Sequence, residues 1–366
     1  MTITAVITAR PSWGRIQTGL TALMARGHRV NLITLASAVL PRYGQIDQQM
    51  RNEGWAVRGS YTLVEGDCGS AMAKTTALSL IDLATALQQQ RPDAVITVAD
   101  RYETIATAIA ASYQDIPVIH VQGGEQTGSI DDRVRHAVTM LADYHAVATE
   151  GAGQRLRQMG VAPERMAVTG CPSVDLAARV LANPGPLPDL PGIGPDVDVS
   201  SAIVVLFHPV TDEAGEAGAQ AQAVLEAVEA DGRPVIWFWP NVDHGTDAIS
   251  KVLRVAHERG SRIRFVRHLP SAQFLRLLLA CQVLVGNSSV GIRECSYLGV
   301  RVVNVGTRQQ GRERGPNVVD VWPSAVSLAH GLQAWRLLQK PEPSTLYGDG
   351  QAGARFAQEV DRWLSR

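Results

Sequence analysis

The densest group of chemically capable side chains in this sequence is IPVIHVQGGEQTGSIDDRVRHAVT, residues 116–139. His120 and Gln122 stand two apart on a predicted strand, so both face the same way. Gly123 and Gly124 let the backbone approach a ligand closely, and Glu125 follows at once. Asp131 opens a predicted helix with Arg135 one turn later, which sets a carboxylate beside a guanidinium. That couple equally fits an i,i+4 ion pair on a solvated face, and a single histidine is often a satisfied core residue. The density of polar groups in one loop reverses those odds for His120 and marks His120, Glu125, Asp131 and Arg135 as candidates for a catalytic group. Upstream, AVITVADRYET ends a strand on Asp100 and Arg101. The doublet suits a base beside an anion clamp, or Asp100 caps the helix that follows.

A second set suits an anion. VITARPSWGR places Arg10, Ser12 and Gly14 after the first strand, where Ser12 can also serve as an N-cap. AIVVLFHPVTDE carries His208 at a strand mouth, and WFWPNVDHG carries Asn241, Asp243 and Gly245 at the next. VLVGNSSVGIREC reads as strand, turn and helix, so Ser288 and Ser289 can offer hydroxyls and backbone N–H groups to a phosphate, or act as ordinary caps. Glu294 stands in the second helical turn. VGTRQQGRERGPNV adds Arg308, Arg312 and Arg314, whose forks match phosphate oxygens.

Placing these groups requires strands that end at loops. Short β-branched runs alternate with helical stretches throughout, the pattern of a parallel sheet covered on both faces. Predicted strands are 3–8, 29–34, 94–98, 117–121, 145–148 and 166–169, then 202–207, 234–238, 264–265, 283–285 and 302–305. Between the two series, residues 181–201 hold five of the 19 prolines and read as a linker. The fold class is therefore α/β, with two doubly wound domains at 1–180 and 202–345. A helix within 346–366 is expected to pack back on the first domain. Ligands bind beyond the carboxyl ends of strands in such sheets.

Composition narrows the function. Of 366 residues, 45% are apolar and 19% charged, with a net charge of -1, which disfavours bulk nucleic-acid or anionic-membrane binding. Lys74, Lys251 and Lys340 are the lysines among 34 basic residues, so Schiff-base chemistry has few possible nucleophiles. Cys68, Cys171, Cys281 and Cys295 form no CxxC pair, and the start MTITAVITARPSWGR has no signal-peptide pattern, so a cytoplasmic protein with buried thiols is expected. No GxGxxG follows a strand, and no Walker loop or HExxH occurs, so a dinucleotide cofactor, an ATP machine and a zincin all lose support.

In order and spacing, DRYET, HVQGGEQTGSIDDRVRHAVT, TGCPSVD, LFHPVT, GNSSVGIRE and VNVGTRQQGR resemble the hydrolysing UDP-N-acetylglucosamine 2-epimerases, over about residues 5–321. The resemblance implies a GT-B fold of two Rossmann-like domains with a ligand cleft between them, the nucleotide held mainly by the second domain and the sugar by the first. It implies anti elimination of the nucleoside diphosphate to a 2-acetamidoglucal, then hydration to a free 2-epimeric sugar, with no redox cofactor. Arg10, Arg101, His208, Ser288, Ser289, Glu294 and Arg308 match nucleoside-diphosphate ligands, and Ser12, Gln122 and Asn241 join the expected substrate contacts. Asp100, Glu125, Asp131 and Arg135 match the acid/base neighbourhood of the sugar, with His120 beside them. A homodimer or homotetramer is also implied.

Two positions depart from the family pattern. Ser12 stands where many members carry an acid, and Gln122 replaces a Glu or His and cannot act as acid or base at neutral pH. Enzymes that re-add the nucleotide typically read HVEAGLRT where this chain reads HVQGGEQT, which favours hydrolysis. A GT-B glycosyltransferase is a second alternative, although the Asp100, Glu125 and Asp131 group has no obvious duty in simple transfer, and a nucleotide-sugar sensor is a third, which fits if Ser12 and Gln122 have removed essential carboxylates. Related members act on GDP-linked or diacetamido sugars.

Overall fold

Near-continuous Val, Ile and Leu runs form strands buried on both faces, because helices cover each side of a parallel sheet. The computed structural model describes every residue except 42, 43, 67, 100, 241 and 242. Two compact units result: one comprises Met1–Gln126, Ile130–Asp175 and Tyr347–Arg366, the other Thr127–Ser129 and Leu176–Leu346.

The first unit holds β1 (Thr2–Ile7), β2 (Arg29–Thr34), β3 (Val57–Gly59), β4 (Ala94–Val98), β5 (Val118–Val121), β6 (Tyr144–Val147) and β7 (Met166–Val168). They pair in parallel in the order β3-β2-β1-β4-β5-β6-β7. The second unit holds β8 (Gly192–Ile193), β9 (Ile203–Leu206), β10 (Val235–Phe238), β11 (Ile263–Val266), β12 (Val283–Gly286), β13 (Val302–Val305) and β14 (Val318–Val321). Their order is β14-β13-β12-β9-β10-β11-β8, parallel except for β8 against β11. Each sheet reverses direction once, between β1 and β4 and between β9 and β12, as doubly wound sheets do.

Three strands escape the sequence reading. β3 and β14 are edge strands with part-exposed residues, so they lack a fully apolar run. β8 has two residues and lies inside the segment read as a linker, where Arg264 also donates to the Leu190 and Gly194 carbonyls. The proline-rich segment is thus built into the second unit. The boundary falls between Asp175 and Leu176, inside the helix Pro172–Ala182, rather than at residue 180.

The last helix, Ala352–Leu364, belongs to the first unit. Phe356, Ala357 and Val360 are fully buried in one core with Ile16, Leu20 and Leu23, and Trp363 stacks on Tyr144 with ring centroids 5.1 Å apart. Full burial of a side chain such as Phe356 stabilises by about 1.5–3 kcal/mol. Its N-terminus is held by buried Asp175, which accepts from Ala352 N at 2.8 Å, Gly353 N at 2.7 Å and Thr18 Oγ1 at 2.9 Å. That carboxylate, in the TGCPSVD stretch, answers orphan helix N–H groups, so its role is structural.

Candidate functional site

In the first unit the loops after β1 and β4 flank the switch point. Arg10 starts the helix Arg10–Gly14, whose N-cap is Ala9 and not Ser12. Ser12 lies within that turn, 2% exposed, donating its N–H to Ala9 O at 3.1 Å. Burial pushes the Arg10 guanidinium down to about 10, which leaves it charged at neutral pH. After β4, Ala99 has φ +67°, a left-handed conformation that is costly for a residue with a Cβ. Asp100 lies outside the described residues. Arg101 follows, its Nε donating to Glu103 Oε1 at 2.8 Å and its guanidinium 5.3 Å from the Tyr102 ring centroid.

The β5 loop lies next in the sheet. His120 is fully buried: its Nε2 is 3.2 Å from Ala99 O and its Nδ1 3.3 Å from Thr139 Oγ1. This fits an Nε2–H tautomer that donates to the backbone while Nδ1 accepts, so the imidazole supports the strained β4 end rather than facing solvent. Gln122 is 1% exposed with φ +67°, donates Nε2 to Cys171 Sγ at 2.8 Å, and has no partner for Oε1. The glycines after it admit protein where a ligand was expected. A Cβ at Gly123 would stand 2.9 Å from His120 Nδ1, and one at Gly124 (φ +75°) would collide with the Ala152 carbonyl oxygen.

Glu125 is 4% exposed, and its carbonyl accepts from Arg135 Nη1 at 2.7 Å. Arg135 is wholly buried and pairs with Asp132 at 2.5 Å, an i,i+3 bridge from the residue next to Asp131. The Arg135 ion pair is therefore buried, which corrects the solvated-face alternative, and it ties the Glu125 backbone to the first turn of helix Ile130–Leu141. Asp131 stands in that turn, half-buried. Both acids and the arginine thus sit within one loop and the first two turns of one helix.

Behind them, His145 pairs in register with His120 on β6 and is 1% exposed, with the rings 6.1 Å apart. Burial first, then the His120 and Arg165 charges, push its imidazole down to about 3. An unfolded histidine titrates near about 6.5, so below that pH the unfolded chain binds a proton that the native state refuses. The stability His145 contributes is thus complete above that pH and lost as pH falls toward 3. Thermal melts from pH 7 to pH 4 are expected to show a falling midpoint, and His145→Leu a flatter fall. An unchanged slope in the variant would remove His145 as the cause.

In the second unit, the loops after β9 and β12 are locked together by one side chain. Asn287, 0% exposed, accepts from His208 N at 2.8 Å and donates Nδ2 to His208 O at 2.8 Å. Gly286 before it has φ +146° and passes so close to Leu206 O that a Cβ would overlap that oxygen. The Asn287 carbonyl in turn accepts from Arg308 Nη1 at 3.2 Å and Gln309 Nε2 at 2.9 Å. His208, Asn287 and Arg308 are brought into one cluster. Ser288 is the N-cap of the short helix Ser289–Ile292 and makes no side-chain cap bond. Glu294 is half-buried, and its Oε2 is buried without a partner.

Arg312 and Arg314 are engaged within their own loop. Arg312 bonds Gln309 Oε1, and Arg314 pairs with Asp320 at 3.1 Å and donates to Gln309 O at 2.5 Å, so both brace the loop that carries Arg308. Asn241 lies outside the described residues. Asp243 and Gly245 form the turn that starts helix Thr246–Glu258. The bracing by Asn287 and Gln309 is not legible in the sequence, because turn composition cannot show which backbone groups a side-chain amide will meet. Among the described residues, no group of three or more His, Cys, Asp or Glu is placed to hold a metal, and no helix is long and apolar enough to cross a membrane.

Residues 26–361 match the UDP-N-acetylglucosamine 2-epimerase family. The chain belongs to that family. It is 35% identical over 290 residues to the Legionella pneumophila UDP-N,N'-diacetylbacillosamine 2-epimerase (hydrolyzing), covering 79% of this chain and 76% of that one. It is 28% identical over 340 residues to the Neisseria meningitidis UDP-N-acetylglucosamine 2-epimerase, covering 91% and 87%. Among solved structures it resembles the Methanocaldococcus jannaschii UDP-GlcNAc 2-epimerase in complex with UDP-GlcNAc and UDP, with a TM-score of 0.81 at 16% identity over 99% of this chain and 100% of that one. At that identity the likeness carries the fold, which is GT-B-like, two Rossmann-like α/β units as predicted.

Proposed function

We propose that this family member is a hydrolysing 2-epimerase for a UDP-linked 2-acetamido sugar, N-acetylglucosamine or its diacetamido relative. The observation that carries the reading is the acid group at the β5 mouth: buried Glu125, its carbonyl held by buried Arg135, and Asp131 in the first turn of the helix that follows. A group of several acids has no obvious duty in simple glycosyl transfer, whereas elimination needs a carboxylate at the weakly acidic C2–H. The 35% identity to a hydrolysing enzyme supports the release of a free sugar.

In this mechanism a carboxylate, Asp100 or Asp131, takes the C2 proton while the C1–O bond to UDP breaks, which leaves a 2-acetamidoglucal. Water then adds to C1, and C2 is reprotonated on the opposite face. Arg10, Arg101, Arg308, Ser288 and Ser289 hold the diphosphate and neutralise its developing charge, Glu294 accepts from the ribose, and His208 contributes from the loop that Asn287 fixes. Arg135 and His120 position the acids and the β4 end. In deuterated water, UDP-N-acetylglucosamine or UDP-diacetamidosugar should yield a free 2-epimeric sugar carrying deuterium at C2, with one UDP per turnover. Reversible formation of a UDP-linked epimer with no free sugar would overturn the hydrolytic reading, and inertness without an acceptor would favour a transferase.

A further inference from the structure

We propose that Glu103 is a positioning residue that presets the Arg101 guanidinium for the diphosphate, an inference that rests on reading Arg101 as a phosphate ligand. Glu103 is the N-cap residue of helix Thr104–Ser112, where a carboxylate would ordinarily bond the helix N–H groups, yet its side chain makes no cap bond. The turn is closed without it: Thr104 N and Oγ1 donate to Arg101 O at 2.9 and 2.6 Å. The Glu103 side chain is 0% exposed, one oxygen accepting from Arg101 Nε at 2.8 Å and the other having no partner.

A carboxylate satisfied at one oxygen and sealed from water is a poor device for stability, since the idle oxygen keeps its desolvation cost. Its engagement is with a guanidinium that is 15% exposed at the β4 mouth. Gripping Nε fixes the plane of the fork before any ligand arrives. The ordering entropy of a long side chain is then spent in folding and not in binding.

The sign of the effect separates this role from bulk electrostatics. Removing a negative charge near a dianionic ligand should tighten binding if charge alone acts, whereas losing the brace should weaken it. UDP titrations by calorimetry on the full chain, with melting curves as a folding control, are expected to show Glu103→Ala weakening UDP by about 3- to 10-fold, the loss for one newly mobile side chain. In an Arg101→Ala background the same change should have no further effect, and KM for the nucleotide sugar should rise more than kcat falls. Glu103→Gln, which keeps an acceptor for Nε, should weaken UDP by less, and it serves alone if the alanine variant does not fold. Unchanged or tighter binding in the Glu103 variants, or equal weakening with and without Arg101, overturns the proposal. If Arg101→Ala itself leaves UDP affinity unchanged, the phosphate reading of Arg101 fails first, and the proposal with it.

Discussion

Asp131→Asn is expected to abolish turnover while UDP binds as before. Asn keeps the size of Asp and an oxygen acceptor but cannot take or give a proton at neutral pH. A positioned acid or base contributes about 10²–10⁴-fold to such a step, so a loss of that order in kcat is expected. Asp131 is half-buried in the first turn of helix Ile130–Leu141, and the buried Arg135–Asp132 bridge next to it holds that turn. The turn should therefore survive the change. Removing a negative charge also gives no reason for the diphosphate to bind less well. Single-turnover assays with UDP calorimetry check both halves. Loss of UDP affinity together with turnover would show that Asp131 shapes the loop, and retained turnover would move the proton transfer to another carboxylate.

Asn287→Ala is expected to damage both folding and nucleotide affinity. One side chain satisfies both the N–H and the C=O of His208, each at 2.8 Å, across the switch point between β9 and β12. Truncation removes the Asn287 partner from two buried backbone groups, and a buried group left unsatisfied costs about 1–3 kcal/mol. The loop after β12 would also lose its tie to His208 while carrying the carbonyl on which Arg308 and Gln309 rest. UDP affinity should fall at least about tenfold, the equivalent of roughly 1.4 kcal/mol. Urea unfolding and UDP calorimetry read the two effects, and Asn287→Asp should lie between, because it keeps an acceptor for His208 N–H but sets an oxygen against His208 O. A variant that unfolds and binds like the parent would sink this account.

Much of the first-order architecture was legible from residue patterns. Strands buried on both faces wrote themselves as Val- and Ile-rich runs, so β1, β2, β4 and β13 lie within a residue of their expected places. The edge strands β3, β8 and β14 did not, because a strand with one side open needs no continuous apolar run. Strand mouths identified the candidate loops because ligands bind beyond the carboxyl ends of strands in doubly wound sheets.

Sequence by itself determined the fold class and nominated the loops, carboxylates and guanidinium groups for the proposed chemistry. Tertiary structure decided which members of each cluster face inward. It gave Arg135 to Asp132 and the Glu125 carbonyl, withdrew Arg312 and Arg314 into bracing a loop, and buried His120 against Ala99 and Thr139. Spacing along the chain fixes which residues can be neighbours on one element. Which of them meet depends on buried polar groups from distant segments finding partners, and that is settled when the elements pack.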